Sequence, residues 1–200
     1  DEYKRGIVSH QPDVIVYDNT VVPTEGPSIN PEACYAESYA FKCNAVLPGA
    51  TAQVAYEINA AMVHLSSCCV YGSGTGQPFT ESDTVLPVTT TGQNISVGET
   101  AVTRVLFDSP HLIFRCPWRY SSTPEGHISL IGTGRSSWAD GMLPVLAVNP
   151  IWDKVLVNAV AVALSRLMNA RGLRRKMKLS GIYNLGSLGS ASWKQLDNLI

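Results

Sequence analysis

Ala61-Met-Val-His-Leu-Ser-Ser-Cys-Cys-Val-Tyr-Gly72 decides the fold. Residues 61–65 form a short, mostly apolar run that ends in small polar residues and then a glycine. That is the pattern of a buried strand stopping at a turn. Working outward, three further runs have the same character: Asp13-Val-Ile-Val-Tyr17, His111-Leu-Ile-Phe-Arg115 and Gly181-Ile-Tyr-Asn-Leu185. Helical stretches separate them. Glu32–Val46 and Ala50–Asn59 read as helix, with Pro31 suited to a first turn and Pro48-Gly49 as a break. Gly92–Leu106 is a modest helix. Trp152–Ala170 is the clearest one, with Val155, Leu156, Val160, Val162, Ala163, Leu164 and Leu167 at helical spacing. Trp138–Val148 is a weak helix, because Gly141 and Pro144 lie inside it. Ser190–Ile200 closes the chain as a short helix capped by Ser190 or Ser192. Long loops rich in Gly, Pro and Thr follow the strands, over 20–31, 72–91 and from Pro117 onward. Strands alternating with helices predict a mostly parallel α/β sheet, with ligands at the loops beyond the strand ends.

Composition narrows the classes. Two hundred residues, 45% hydrophobic and 16% charged, are enough to build one ordinary core and too apolar for a disordered chain. No apolar run reaches the ~18 residues of a membrane span. The five cysteines (Cys34, Cys43, Cys68, Cys69, Cys116) are odd in number and include no C-x-x-C pair. Cys68 and Cys69 are adjacent, which is poor geometry for a mutual disulfide. A reducing intracellular compartment with buried neutral thiols is therefore expected, mitochondrial matrix or cytoplasm being left open. His64 and His111 fall on strands and read as structural, and no spacing suggests a metal site. The net charge of −1 hides a split: residues 1–100 carry eleven acids and three bases, residues 101–200 five acids and twelve bases. The bases gather in Arg166, Arg171, Arg174, Arg175, Lys176 and Lys178, with no acid between Asp153 and Asp197. That segment is a candidate contact surface for an acidic protein or for RNA, although it lacks interleaved aromatics. The chain begins at Asp1 rather than Met, so a preceding segment is expected.

Several stretches carry a family resemblance. Pro12-Asp-Val-Ile-Val16 resembles the corresponding strand of extended short-chain dehydrogenases. His64-Leu-Ser-Ser-Cys-Cys-Val-Tyr-Gly72, then Phe79-Thr-Glu-Ser-Asp83, Pro87, Gly92 and Gly98-Glu99, follow that family's order. His111 to Tyr120 is similar to its next strand and turn. Gly181-Ile-Tyr-Asn-Leu and Gly189-Ser-Ala-Ser-Trp193 resemble its closing motif. Together they resemble the dTDP-4-dehydrorhamnose reductase (RmlD-like) branch, which includes the regulatory β subunit of methionine adenosyltransferase. The resemblance implies a Rossmann-type sheet lacking its first βαβ unit, with a small C-terminal substrate-type portion. Residues 1–120 would form the truncated core and 121–200 the remainder of one continuous globule.

The resemblance also implies a catalytic pattern from which this sequence departs. Family members use a Tyr-x-x-x-Lys pair: the tyrosine protonates the substrate carbonyl, and the lysine lowers its pKa and holds the nicotinamide ribose. Here Thr91 and Ile95 occupy those positions, and Ser67 stands where the third hydroxyl belongs. A threonine hydroxyl is a far weaker acid than a phenol, and isoleucine carries no charge. The glycine-rich loop that cradles pyrophosphate would precede residue 1, and Tyr17-Asp18-Asn19 follow the first strand where small residues face the dinucleotide. No cofactor is expected, or NADP only if that preceding segment exists. The expected function is a non-catalytic, structural or scaffold subunit that binds other protein chains in a larger assembly. The alternatives are an NADP-dependent sugar-nucleotide reductase and an RNA-contacting protein of a ribonucleoprotein. Losing the first unit would leave the Asp13 strand with a bare edge, which a partner chain or preceding segment is expected to cover.

Overall fold

The computed structural model describes residues 2–18, 38–73, 78–116, 158–166 and 180–185. Helix α1 (Glu2–His10) leads into strand β1 (Val14–Tyr17). A helical segment from residue 38 passes through a π-helical stretch (Lys42–Val46) into α2 (Leu47–Glu57). Strand β2 (Ala61–Ser67) ends in a 3-10 turn (Cys68–Tyr71). Then follow α3 (Thr90–Val105), β3 (His111–Cys116), α4 at 158–166 and β4 (Ser180–Asn184).

All strand pairs are parallel, and the sheet order is β1-β2-β3-β4. β2 and β3 are central and buried almost throughout, which is why their sequences are apolar without alternation. Alternate residues still serve different faces. Val63, Leu65, Leu112, Phe114 and Cys116 pack with Ala163 of α4 on one side. Met62, Ile113 and Tyr17 pack with Ala52, Ala55, Val102 and Leu106 of α2 and α3 on the other. The predicted parallel α/β sheet is thus present, with β1 at one edge among the described residues. The strand contributed by residues 180–184 hydrogen-bonds directly to β3, so segments far apart in sequence share one sheet.

Two local features differ from the sequence reading. Pro48-Gly49 does not break the helix. The Leu47 N–H bonds back to Lys42 O, five residues earlier, and this widened turn takes in Pro48 directly after it. Proline has no N–H to offer the Asn44 carbonyl four residues back. That carbonyl lies instead against Gly98 of α3, where an added Cβ would come within 2.3 Å of the oxygen. Gly98 therefore allows α3 to approach the proline-bearing helix closely. The second difference is α1, none of whose residues is buried. It is held by tertiary contacts: Tyr3 Oη to Thr51 Oγ1 at 2.7 Å, and Lys4 Nζ to Glu57 at 2.6 Å.

α2 ends where its sequence says it should. Asn59 takes a left-handed conformation (φ 58°), and Asn59 N and Ala60 N bond to Tyr56 O and Ala55 O. This closes the helix in a Schellman turn directly before β2.

Candidate functional site at the carboxyl ends of the strands

The β2 end, the 3-10 turn and the start of α3 converge beyond the sheet. Ser67 is the last residue of β2 and caps the turn: its Oγ accepts a hydrogen bond from Cys69 N at 3.2 Å. This is a local side-chain-to-backbone contact. Thr89 caps α3 by accepting from Gly92 N at 3.0 Å. Thr91 follows in the first turn, partly exposed. Ile95, one turn further on, is 2% exposed and packs with Val70 and Tyr71, against Cys68, Phe79 and Val85. The structure therefore brings these elements together but makes position 95 part of an apolar cluster.

The expectation of fully buried neutral thiols needs correction. Cys43 and Cys116 are buried, but Cys68 and Cys69 are only half-buried, because the tight 3-10 turn carries them out of the sheet layer. Among the described residues no group of three or more His, Cys, Asp or Glu side chains is arranged to hold a metal ion. Of the basic run only Arg166 falls on described residues, exposed on α4. Arg171, Arg174, Arg175, Lys176 and Lys178 lie outside the described residues.

Sequence reasoning gave no role to the strongest polar feature. Arg115, on β3, is 4% exposed and Glu99, on α3, is 5% exposed. The guanidinium meets the carboxylate through Nη2 at 2.8 Å and Nε at 3.1 Å. Ser66 Oγ donates to the same carboxylate. Arg115 Nη1 donates to Tyr71 Oη at 2.8 Å, and Tyr71 Oη donates to Asn184 Oδ1 at 2.8 Å. The Tyr71 ring stacks on Phe79, with centroids 4.6 Å apart. Asn184 N donates to Glu81 at 2.8 Å, which holds that carboxyl below the usual carboxylate range, and Asn184 Nδ2 donates to Phe79 O. One network thus ties β2, β3, β4, α3 and the loop at 79–81 together. The signal in the sequence was an acid inside α3 and an arginine on an otherwise apolar strand. The Glu99–Arg115 pair also floors a shallow, open cleft lined by Ser96, Thr100, Thr103 and Ile182, and Ser67, Thr91 and Ile95 are not among its lining residues.

His64 lies on the same face of β2, 3% exposed, its ring 5.6 Å from that of Tyr17. Neither ring nitrogen makes a well-formed hydrogen bond. Burial pushes its pKa down to about 4, although Glu99 and the Tyr17 backbone favour the charged form.

A parallel α/β sheet with helices on both faces defines a Rossmann-type domain. The chain belongs to the family described as the RmlD substrate binding domain, whose model matches residues 31–200. It is 24% identical over 186 residues to dTDP-4-dehydrorhamnose reductase of Escherichia coli (strain K12), covering 92% of this chain and 58% of that protein. The chain thus spans somewhat under three fifths of that relative. It superposes on the dTDP-4-dehydrorhamnose reductase of Bacillus anthracis, solved in complex with NADP, with a TM-score of 0.61 at 14% identity, over 99% of this chain and 65% of that one. The corresponding enzyme of Yersinia enterocolitica gives a TM-score of 0.54 at 20% identity, over 94% and 61%. These likenesses establish the fold.

Proposed function

We propose that this chain is a non-reducing member of the RmlD substrate-binding family that serves as a binding subunit for other protein chains. The observation that carries the reading is Ile95. A reductase of this type needs an ammonium there, to hold the nicotinamide ribose and acidify a neighbouring phenol. This chain offers a buried apolar side chain packed against Val70 and Tyr71, and a threonine at position 91. An apolar side chain and a threonine offer no ammonium or phenol to a nicotinamide ribose at those positions. Tyr17, at the end of the first strand where family members carry small residues, is core instead, packing with Met62 and Ala52 and donating to Cys43 O at 2.7 Å.

The same reading treats residues 1–120 and 121–200 as one globule. Support comes from β4, which completes the sheet of the first portion. Partner contact is assigned to the loops at the strand ends and to the basic segment 166–178. A reducing compartment suits the thiols Cys43, Cys68, Cys69 and Cys116.

The test is NADPH consumption by the purified chain with dTDP-4-dehydrorhamnose, together with calorimetric titration of NADPH. No turnover and no micromolar binding are expected. Turnover would replace this reading with its alternative, an NADP-dependent sugar-nucleotide reductase, which the names of the relatives favour.

A further inference from the structure

The cleft floored by Glu99 and Arg115 is used by neither reading of the function. It lies between the flank of α3 and strands β3 and β4, is open to solvent, and has a volume of about 250 Å³. That is below the roughly 300–1,000 Å³ of sites that enclose drug-sized molecules, so its occupant is small. The floor holds unfilled hydrogen-bonding capacity. A guanidinium has five N–H donors. Arg115 gives Nε–H and one Nη2–H to Glu99, and one Nη1–H to Tyr71. One N–H on each terminal nitrogen is left without an acceptor among the described residues, although the side chain is only 4% exposed. A buried donor without an acceptor costs free energy, which an acceptor arriving through the cleft recovers. The walls add to this. Ser96, Thr100 and Thr103 repeat at helical spacing along the flank of α3. The Thr100 hydroxyl donates to Ser96 O, so toward the cleft it acts as an acceptor. The Ser96 and Thr103 hydroxyls have no partner among the described residues. Arg104 also lines the cleft and has no ion pair among the described residues, so Arg104 and Arg115 against Glu99 leave one surplus positive charge. Val85 and Ile182 supply an apolar side.

We propose that this cleft binds a small hydroxylated monocarboxylate. The carboxylate oxygens accept the two remaining Arg115 N–H groups, and Arg104 adds its charge. The ligand hydroxyls pair with Ser96, Thr100 and Thr103, and its carbon chain lies against Val85 and Ile182. Inorganic phosphate fits less well, because its second negative charge meets Glu99 on the floor with no further cation to offset it. Ser67, Thr91 and Ile95 do not line the cleft, so the inference holds whether or not the chain reduces a sugar.

The test is titration of the isotope-labelled full chain with D-glycerate at pH 7, read by NMR at the arginine Nε–H groups and the backbone amides. Saturable shifts are expected at Arg115 Nε–H and along residues 96–104, with a Kd in the millimolar range. Propionate lacks the hydroxyls, glycerol lacks the carboxylate, and phosphate carries the second charge. Each should bind at least about fivefold more weakly than D-glycerate, the worth of roughly one hydrogen bond. Thr103→Val and Arg104→Gln change exposed positions and should each weaken D-glycerate by about fivefold. Amide signals away from the cleft establish that the variants are folded. If either is not, the series of four probes decides alone. The absence of a saturable shift at these residues overturns the proposal. So does glycerol or phosphate binding as tightly as D-glycerate, or wild-type affinity in both folded variants.

Discussion

Arg115 and His64 are near neighbours on one face of the sheet, on adjacent strands, and both are almost fully buried. Their treatment is opposite. Arg115 is charged and has a partner for each of its nitrogens: Glu99 for two and Tyr71 for the third. His64 has a ring neighbour and no well-formed hydrogen bond, and stays neutral. The difference shows that burial alone does not decide the cost of a polar group. Arg115 joins four elements, so its desolvation is offset by bonds that also fix the position of α3 and of the turn after β2. His64 joins nothing and is tolerated as long as it carries no proton.

The largest effect should come from breaking the satisfied side of this pair. Arg115→Leu removes the cation and leaves the Glu99 carboxylate buried without its counter-charge. A loss of about 3–5 kcal/mol is expected from urea unfolding at pH 7. A loss below about 1 kcal/mol would mean that water reaches Glu99 and that the network is not the knot described.

The second experiment charges the other side. The folded-state pKa of His64, about 4, lies below the unfolded value near 6.5. The unfolded chain therefore binds the proton first. His64 costs nothing extra above pH 6.5, and stability falls as pH drops from there to about 4, then levels off. At pH 4.5 the deficit is about 2–3 kcal/mol. His64→Phe, which cannot take up a proton, should lose that much less than wild type between pH 7.5 and 4.5. Parallel losses in the two proteins would show that the ring is solvated in the folded state.

A third change probes how far the network depends on its middle member. Tyr71→Phe keeps the stack on Phe79 and the packing against Ile95, and deletes only the hydroxyl between Arg115 and Asn184. A cost of about 1–2 kcal/mol is expected by thermal or urea unfolding. The change should be smaller than that of Arg115→Leu, because no buried charge loses its main partner.

How much of this was legible follows from the range of the interactions. β2 and β3 could be read because both faces are buried and the residues are apolar in succession. The helices read as Ala50–Asn59 and Gly92–Leu106 end within three residues of the observed bounds, because the groups that close them, at Asn59 and Thr89, act within three to five residues. The Arg115 network was not legible: its partners are 16, 44 and, through Tyr71, 113 residues apart in sequence. Helix α1 was missed for the same reason, being anchored to α2 across 48 residues. Pro48 misled because the rule that proline ends a helix assumes four-residue spacing, and the π-helical turn before it changes that spacing. At the site, the identities of residues 67, 91 and 95 were evident, but the conversion of position 95 into core needed the packing of Val70 and Tyr71.

The smallest effect belongs to Ser67, and it separates two accounts of this residue. As a cap, its hydroxyl accepts the Cys69 N–H at the entrance to the 3-10 turn. Ser67→Ala should then cost about 1 kcal/mol or less, since the partly exposed N–H can turn to water. It should also raise the midpoint of the pH profile of Cys69 alkylation, because the Ser67 hydroxyl is one of the groups that favour the thiolate. As a catalytic hydroxyl, the same change would leave Cys69 alone and abolish a reduction. A shifted thiol profile in a protein of nearly unchanged stability therefore places Ser67 with the backbone it caps. An unshifted profile would detach its hydroxyl from the Cys69 thiol and leave it the role of a backbone cap.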